Sequence, residues 1–559
     1  MITETFAPKL SRNEGLKTGS TALSGHIHQS LNDAATDHFT EDDYEFLKFH
    51  GVYQQDDRDK RKTGKQYIMM VRTRFPGGVL TGKQYVACDD LSTKYGNNTM
   101  RITTRQDFQF HGILKSNLRQ CIKSLNEALM TTIAACGDVA RNVMAPPTPA
   151  TSPLVDEVLI QAAKLSAVLS PKTRAYHSIW LEGQELDLKD SQDFVDPLYG
   201  RSYLPRKFKT AFAFPPLNDI DIFANDLGFV VIEEKGKLLG YNLLAGGGLG
   251  MSHGNAATFP RLADVIGFFA PEHLEAVTKA VLTVHRDFGD RTNRKHARLK
   301  YVIAERGVDW FRREVEQRLG FKLEPARPFR FTRQGDLLGW HEQSNGKLFL
   351  GLFVENGRIH DVNGYRLKTG LRRVIETFQL EARLTAAQNI LLVNIDPAHR
   401  HDINEILAEH GISASNPYSA TRKASMACPA LPTCGLALAE SERYLPDLLT
   451  QLETVLAALR LQDEEIVVRM TGCPNGCSRP YLAEVAFVGK APGKYQIYLG
   501  GNEGSTRLNR LYKDSVKSED LMKELGAVLQ RFVAERQPGE RFGDFCARVL
   551  WTGAAAIAA

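Results

Sequence analysis

Four of the chain's eight cysteines fall within fifty residues of one another, as two pairs: Cys428-Pro-Ala-Leu-Pro-Thr-Cys434 and Cys473-Pro-Asn-Gly-Cys477. Thiolates gathered in this way are soft ligands, suited to zinc or to iron–sulfur chemistry. The spacings C-x5-C and C-x3-C fit the short knuckles of structural zinc sites poorly, although they leave zinc open. Prolines and a glycine in the loops suit wrapping around a larger object, and a [4Fe–4S] cube takes four cysteines. The alternative is a set of buried, inert thiols. Against it, the other four cysteines (Cys88, Cys121, Cys136 and Cys546) are scattered singly.

A second group of candidates is basic. Lys207 and Lys209 stand two apart in LPRKFKT, so they share one face of a strand. Flanked by Phe208 and the run Ala211 to Phe214, they read as a partly buried anion clamp rather than as a solvated face. Arg101 and Arg105, four apart, share a face as well, and so do Gln109 and His111. His111 is open to two readings, a proton relay or a hydrogen-bonded core histidine.

Stepping outward, the elements that hold these residues occur twice. YIMMVRTRF from Tyr67, the Pro76-Gly77-Gly78 turn, a helical stretch and the strand MRITTRQDFQFHGIL make a β-α-β unit. KLFLGLFVENGRI (347–359), another helical stretch and the strand EARLTAAQNILLVNI (381–395) make a second. RITTRQ set beside RLTAAQ matches Arg101 to Arg383, Thr103 to Thr385 and Gln106 to Gln388, with Arg105 replaced by Ala387. Residues 204–250 and 467–504 share the outline strand, Pro-containing turn, helix, strand, turn, strand, Gly-rich loop. Before the second cysteine pair, a helix with Leu448, Leu449, Leu452, Val455, Leu456 and Leu459 on one face precedes the strand EEIVVRM.

Duplication in the order A-B-A′-B′ is the simplest account. The predicted fold is α+β, with a lead-in at 1–60, unit A at 61–140, B at 141–335, A′ at 336–418 and B′ at 419–559. The opening forty residues are polar without apolar periodicity and read as a flexible arm. The site belongs at the interface of the halves, one bearing the cysteines and the other the cations.

Composition narrows the class. At 559 residues the length suggests three or four domains, and 43% hydrophobic with 24% charged residues is ordinary for a globular chain. The balance of 70 Lys+Arg against 65 Asp+Glu gives no sign of nucleic-acid binding but permits a local basic pocket. No run approaches a membrane span and no apolar h-region opens the chain, so the cytoplasm is the expected compartment. Gly246-Gly247-Gly248-Leu249-Gly250 does not match a dinucleotide-binding G-x-G-x-x-G. Neither a P-loop nor a plausible flavin or nicotinamide motif is present.

The segments SMACPALPTCGLALAESERYLP and RMTGCPNGCSRPYLAEVAFVGKAPGKYQIYLGG resemble the cluster-binding signatures of the sulfite and nitrite reductase family. LKFHGVYQQDDRD, the PGG turn, TTRQDFQFHGI, ACGDVARNVM, LPRKFKT and GGGLG extend the likeness over roughly residues 47–550. The resemblance is nearest to the assimilatory, NADPH-linked sulfite reductases. It implies ferredoxin-like half-domains paired pseudo-symmetrically around a sirohaem, which Cys477 bridges to a [4Fe–4S] cluster held also by Cys428, Cys434 and Cys473. It further implies a sulfite cage of Arg74, Arg141, Lys207 and Lys209, and places Arg101, Arg105, Gln109, His111 and Asn475 beside the cofactors. The partner it implies is an FAD/FMN flavoprotein fed by NADPH, with ferredoxin as the other candidate donor. Two rival readings remain at this stage, a sirohaem nitrite reductase and a zinc-stabilised binding protein without catalysis.

Overall fold

The computed structural model describes residues 9–20, 23–149, 152–172 and 195–551, together with the short strands Trp180–Leu181 and Gln184–Glu185. Two pairs of five-stranded sheets carry the architecture. In the first pair, one sheet runs Val52–Asp56, Tyr67–Arg72, Phe108–Ile113, Met100–Ile102 and Arg358–Ile359. Its counterpart runs Gly339–Glu342, Leu348–Leu352, Ile390–Ile395, Glu381–Leu384 and Val79–Leu80. Each sheet therefore takes its fifth strand from the other half of the chain. Arg358 pairs with Arg101, and Val79 with Arg383. Helices Gly82–Lys94 and Leu367–Phe378 bury Tyr85, Cys88, Leu91, Leu371, Val374 and Ile375 in one shared apolar core. Burial of that size binds the two halves into one body.

The exchange depends on two equivalent turns. Gly78 (φ 76°) and Gly357 (φ 74°) are left-handed. A Cβ at Gly78 would run into the Leu384 carbonyl oxygen, and one at Gly357 into the Ile102 carbonyl oxygen. Both are places where only glycine lets two backbones meet. Opposite them, Gln106 and Gln388 also take positive φ. Gln106 Nε2 donates to the carbonyl oxygens of Gly77 (3.2 Å), Ala145 (2.9 Å) and Leu384 (3.0 Å).

The second pair of sheets repeats one topology. Ala140–Met144, Phe208–Ala213 and Leu227–Glu234 are parallel, and Lys237–Ala245 and Asp264–Phe269 follow antiparallel. Met426–Ala427, Val468–Thr471, Val485–Ala491, Lys494–Leu499 and Arg510–Lys517 follow the same scheme. Helix Leu445–Ala458 packs Leu448, Leu449, Leu452 and Leu456 into the core of this last sheet.

Several expectations are corrected. The strands predicted over MRITTRQDFQFHGIL and EARLTAAQNILLVNI each fold into a hairpin, Met100–Ile102 with Phe108–Ile113 and Glu381–Leu384 with Ile390–Ile395. Arg105 consequently sits in a turn and not on a strand face with Arg101. The helix expected inside residues 204–250 and 467–504 is only a 3₁₀ turn, Ile222–Ala224 and Pro480–Leu482. Strand Val52–Asp56, within the stretch assigned as lead-in, is the edge of the first sheet.

The described part of the polar arm is docked, with helix Arg12–Gly19 holding Glu14 and Lys17 buried. Lys17 Nζ pairs with Glu14 (2.5 Å) and lies 3.6 Å from Asp138, and Arg291 meets Glu14 from the far side. Residues 1–8 of the arm lie outside the described residues.

Candidate active site

The two cysteine loops are laid against each other at the ends of parallel strands. Leu438 and Ala439 donate their backbone N–H groups to the Gly472 carbonyl oxygen at 2.8 and 3.1 Å, and the Gly472 N–H donates to Cys428 Sγ at 3.3 Å. All eight cysteines are unpaired, and of the quartet Cys428 and Cys473 are buried, Cys434 is half-buried and Cys477 is exposed. Burial, then the nearby Cys477 and Cys428, pushes the Cys434 thiol up to about 12, and burial with the same neighbours raises Cys473. Thiols that destabilise one another's anions in this way need a strongly cationic centre to ionise together. Among the described residues no three His, Cys, Asp or Glu gather as around a single metal ion. The donor set thus suits a multi-iron group spanning all four sulfurs better than one zinc ion. Asn475 Nδ2 donates to Cys473 Sγ at 3.5 Å, so the asparagine braces the second cysteine loop.

The first half meets these loops. Thr104 Oγ1 donates to the Cys477 carbonyl oxygen (3.0 Å), and the Met251 N–H, just past the GGGLG loop, donates to the Pro474 carbonyl oxygen (2.9 Å). Lys207 and Lys209 project from one face of strand Phe208–Ala213 and its lead-in, half-buried, while Phe208 and Thr210 are buried on the other face. Burial first, then Arg206, Arg298 and Arg141, pushes Lys207 down to about 7, with Cys477 acting in the opposite sense. Burial, Lys207 and Arg105 drive Lys209 well down too. Arg141 points its Nε at the Gly137 carbonyl oxygen (3.0 Å) and Nη1 at that of Ala135 (3.2 Å), leaving Nη2 free of these two bonds.

Arg74 does not join this group in the way the sequence suggested. Its Nε and Nη2 donate to Ser166 Oγ (3.1 Å) and O (3.0 Å), and its Nη1 to the Ile133 carbonyl oxygen (3.4 Å). It is a brace between the turn and helix Val155–Val168. Arg72, two residues earlier, lies instead on the Cys477 side. Burial opposes its charge, and Cys136, Tyr53, Asp107 and Cys477 outweigh that burial. Its Nε and Nη2 donate to the Gln109 side-chain oxygen once that amide is oriented by its neighbours.

Arg101 is also committed elsewhere, because its Nε donates to Glu442 (2.9 Å) and its Nη2 to the Ala427 carbonyl oxygen (2.7 Å). Arg358 binds the same carboxylate at 2.7 and 3.1 Å. Burial alone would raise Glu442, but Arg358 and Arg101 overcome it and hold the carboxyl at about 2. Because the Glu442 N–H donates to the Cys428 carbonyl oxygen, this knot ties both halves to the cluster loop.

Arg105 and His111 keep free atoms in the interior. Arg105 binds Asn225 Oδ1 (3.1 Å) and the Asn142 carbonyl oxygen, while its Nε is buried without a partner. Both His111 ring nitrogens are buried and unpartnered, and burial, then Arg358, lowers its pKa well below the usual value. Orphaned donors beside crowded cations are what a cofactor edged with carboxylates would satisfy.

Arg298 and Lys300 complete the crowd and escaped the sequence reading. Arg298 pairs with Asp226 at 2.7 Å, and burial, then Arg298, pushes Lys300 down to about 6. The basic run from Arg291 to Lys300 was the available signal.

Comparison with known proteins defines the class. The nitrite and sulphite reductase 4Fe-4S domain matches residues 161–323, and the nitrite/sulfite reductase ferredoxin-like half domain matches 60–128 and 341–410. The chain is 48% identical over 558 residues to the Shouchella clausii sulfite reductase [NADPH] hemoprotein beta-component, covering 98% of this chain and 97% of that protein. It is 49% identical over 545 residues to the protein of the same name from Myxococcus xanthus, with 96% of each covered. The chain belongs to the nitrite and sulfite reductase family. The structure of the Mycobacterium tuberculosis NirA protein shares its fold, with a TM-score of 0.78 at 24% identity over 97% of both chains. The half-domain matches fall on the two strand-exchanged sheets, in keeping with the duplicated α+β fold.

Proposed function

We propose that this chain is the haemoprotein component of an NADPH-linked assimilatory sulfite reductase, reducing sulfite to sulfide. The observation that carries the reading is convergence: Thr104 and Met251 of one half hydrogen-bond to the second cysteine loop of the other, and Cys477 on that loop acts on both Lys207 and Arg72. Cys428, Cys434, Cys473 and Cys477 would hold a [4Fe–4S] cluster, and Arg105, His111 and Arg298, each with an unpartnered side-chain nitrogen, would face the carboxylates of a sirohaem, while Lys300 is spent on the carbonyl oxygens of Gly248, Gly250 and Phe259. When bound, these groups supply a coordination site for sulfur and the storage and delivery of single electrons.

The protein's own part is charge and protons. Arg72, Arg141, Lys207 and Lys209 hold sulfite oxygens from half-buried and buried positions, where a charge-assisted hydrogen bond is stronger than in open water. The substrate loses three oxygens as water and takes up six electrons, so protons must arrive repeatedly. Lys207, at about 7, gives up and regains a proton readily near neutrality, whereas the arginines stay charged and orient. Gln109 fixes the angle of Arg72. Arg101 acts through Glu442 on the cluster loop and not on substrate. The division of the chain into a lead-in followed by A, B, A′ and B′ belongs to the same proposal.

The electron donor is a separate flavoprotein carrying FAD and FMN. Half-buried Cys434 and the 66% exposed Leu436 support an approach from the side of the cysteine loops. Eight unpaired cysteines accord with the cytoplasm, and among the described residues no helix is long and apolar enough to cross a membrane.

The test compares sulfide formation by purified holoprotein with NADPH alone, with NADPH plus an FAD/FMN flavoprotein, and with reduced ferredoxin. Turnover only with the flavoprotein is expected. Turnover with NADPH alone refutes the two-component reading, activity only with ferredoxin replaces the donor, and a colourless protein holding stoichiometric zinc overturns the function altogether.

A further inference from the structure

The docked arm reaches the two segments from which Lys207 and Arg141 spring. Lys17, buried on helix Arg12–Gly19, donates from Nζ to the Leu204 carbonyl oxygen (2.8 Å) and to Glu14 (2.5 Å), and lies 3.6 Å from Asp138. Arg291, which meets Glu14 from the far side, donates to the Tyr203 carbonyl oxygen at 2.7 Å. These bonds fall on the stretch of chain just ahead of Lys207.

Asp138 stands just ahead of Arg141 in the same way. Arg294 binds both of its carboxylate oxygens, at 2.5 and 3.0 Å, and Arg206 approaches to 3.8 Å. The residues next to Asp138 carry the arginine, because Arg141 Nε and Nη1 donate to the carbonyl oxygens of Gly137 and Ala135. Fixing Asp138 therefore fixes the two oxygens on which the Arg141 guanidinium rests. The two segments are joined directly by the Leu204 N–H on the Asp138 carbonyl oxygen and the Phe208 N–H on that of Val139, both at 3.1 Å. Lys17 bridges the same two segments from the arm.

A lysine suits this place, since three N–H donors on one charge serve a carbonyl and two carboxylates at once. Burial opposes its charge, and Asp138 and Glu14 work against that burial. Replacing it with an apolar side chain takes a donor from the carbonyl of fully buried Leu204, while Glu14 keeps Arg291 and Asp138 keeps Arg294. The change loosens both segments without leaving either carboxylate unpaired.

We propose that Lys17 is a positioning residue for sulfite, acting through Leu204 and Asp138 on Lys207 and Arg141, so that docking of the N-terminal helix and occupation of the anion site strengthen each other. The inference rests on the role given above to Lys207 and Arg141. Linkage makes the effect reciprocal: whatever the docked helix adds to sulfite affinity, bound sulfite adds to the docking of the helix.

Steady-state sulfite reduction and amide hydrogen exchange of the holoprotein test it. Lys17→Met is expected to raise KM for sulfite at least about fivefold with kcat within about twofold of wild type. A lysine that served stability alone would lower Tm and leave KM in place. In the wild-type holoprotein, saturating sulfite is expected to slow exchange of the amides of helix Arg12–Gly19 at least about threefold, a readout that needs no variant to fold. An unmoved KM in Lys17→Met, or helix amides that exchange equally fast with and without sulfite, overturns this inference and leaves the proposed function standing. Wild-type holoprotein that reduces no sulfite overturns the proposed function and this inference with it.

Discussion

Replacing Lys207 by Met should make the cofactor-depleted chain more stable while disabling it. The lysine keeps its proton in the folded crevice only below about 7, against 10.5 for the free side chain, because burial and three neighbouring arginines oppose its charge. At 1.36 kcal/mol per unit that depression corresponds to about 5 kcal/mol, and water in the half-open crevice cuts the usable figure to roughly half. Met fills similar volume without charge, so Lys207→Met should raise Tm by a few degrees, roughly 2–4 °C.

The gain has a defined pH range. Between about 7 and 10.5 unfolding takes up a proton, so wild-type stability climbs with pH across that window. The advantage of the variant is consequently full below about 7 and gone above 10.5. In turnover the sign reverses, since loss of one donor to developing oxygen charge costs about 10²–10³ in kcat. Calorimetric Tm at several pH values, alongside sulfide production by reconstituted enzyme, reads both effects. A variant that melts lower than wild type near neutrality, or that reduces sulfite at the wild-type rate, refutes the reasoning that this lysine is a strained cation held for substrate.

Arg72→Gln should cut sulfite turnover by about 10²-fold with little change in Tm, whereas Arg74→Gln, which strips bonds to Ser166 and Ile133, should cost about 2–4 kcal/mol of stability. Activity and urea melts of the two variants check the exchange of roles. Glu442→Gln leaves Arg101 and Arg358 sharing a neutral partner and should cost about 3–5 kcal/mol, read as a lower urea midpoint; an unchanged midpoint would remove the knot from the account. Cys477→Ser replaces a soft thiolate by a poor ligand, and is expected to abolish sulfite reduction and to alter the visible spectrum of the holoprotein.

What could be read from the sequence was chemistry local to a few residues. The cysteine quartet, the paired lysines and the repeat of RITTRQ in RLTAAQ are visible because residue type and short spacing carry them. The hairpins were missed because Ile102, Phe108 and Phe110 keep the same parity on both sides of the turn, which hides the polar break at Thr104 and Gln106. The turn itself is set by bonds from Gln106 to Gly77, Ala145 and Leu384, residues far along the chain. Strand parity could not separate Arg72 from Arg74, which stand two apart; the strand ends at Arg72, and beyond it the chain turns Arg74 toward Ser166. The arm read as flexible from its polar composition, yet its buried ion pairs reach Asp138 and Arg291. Tertiary partners at such separations leave no local trace.

The duplicated frame also explains why neither half could hold this site alone. Crowded cations around Lys207 destabilise one another, and so do the four clustered thiols as they ionise. Placed across one crevice, each set supplies the charge that the other lacks, and Cys477 raises both Lys207 and Arg72. The strand exchange at Arg358 and Val79 and the Glu442 knot fix that opposition rigidly, since neither half can shift without breaking the other's sheet. Proton affinity on the cationic side therefore follows charge on the sulfur side. A negative charge at Cys477 strengthens the hold of Lys207 on its proton, against the larger opposing effects of burial and of Arg206, Arg298 and Arg141.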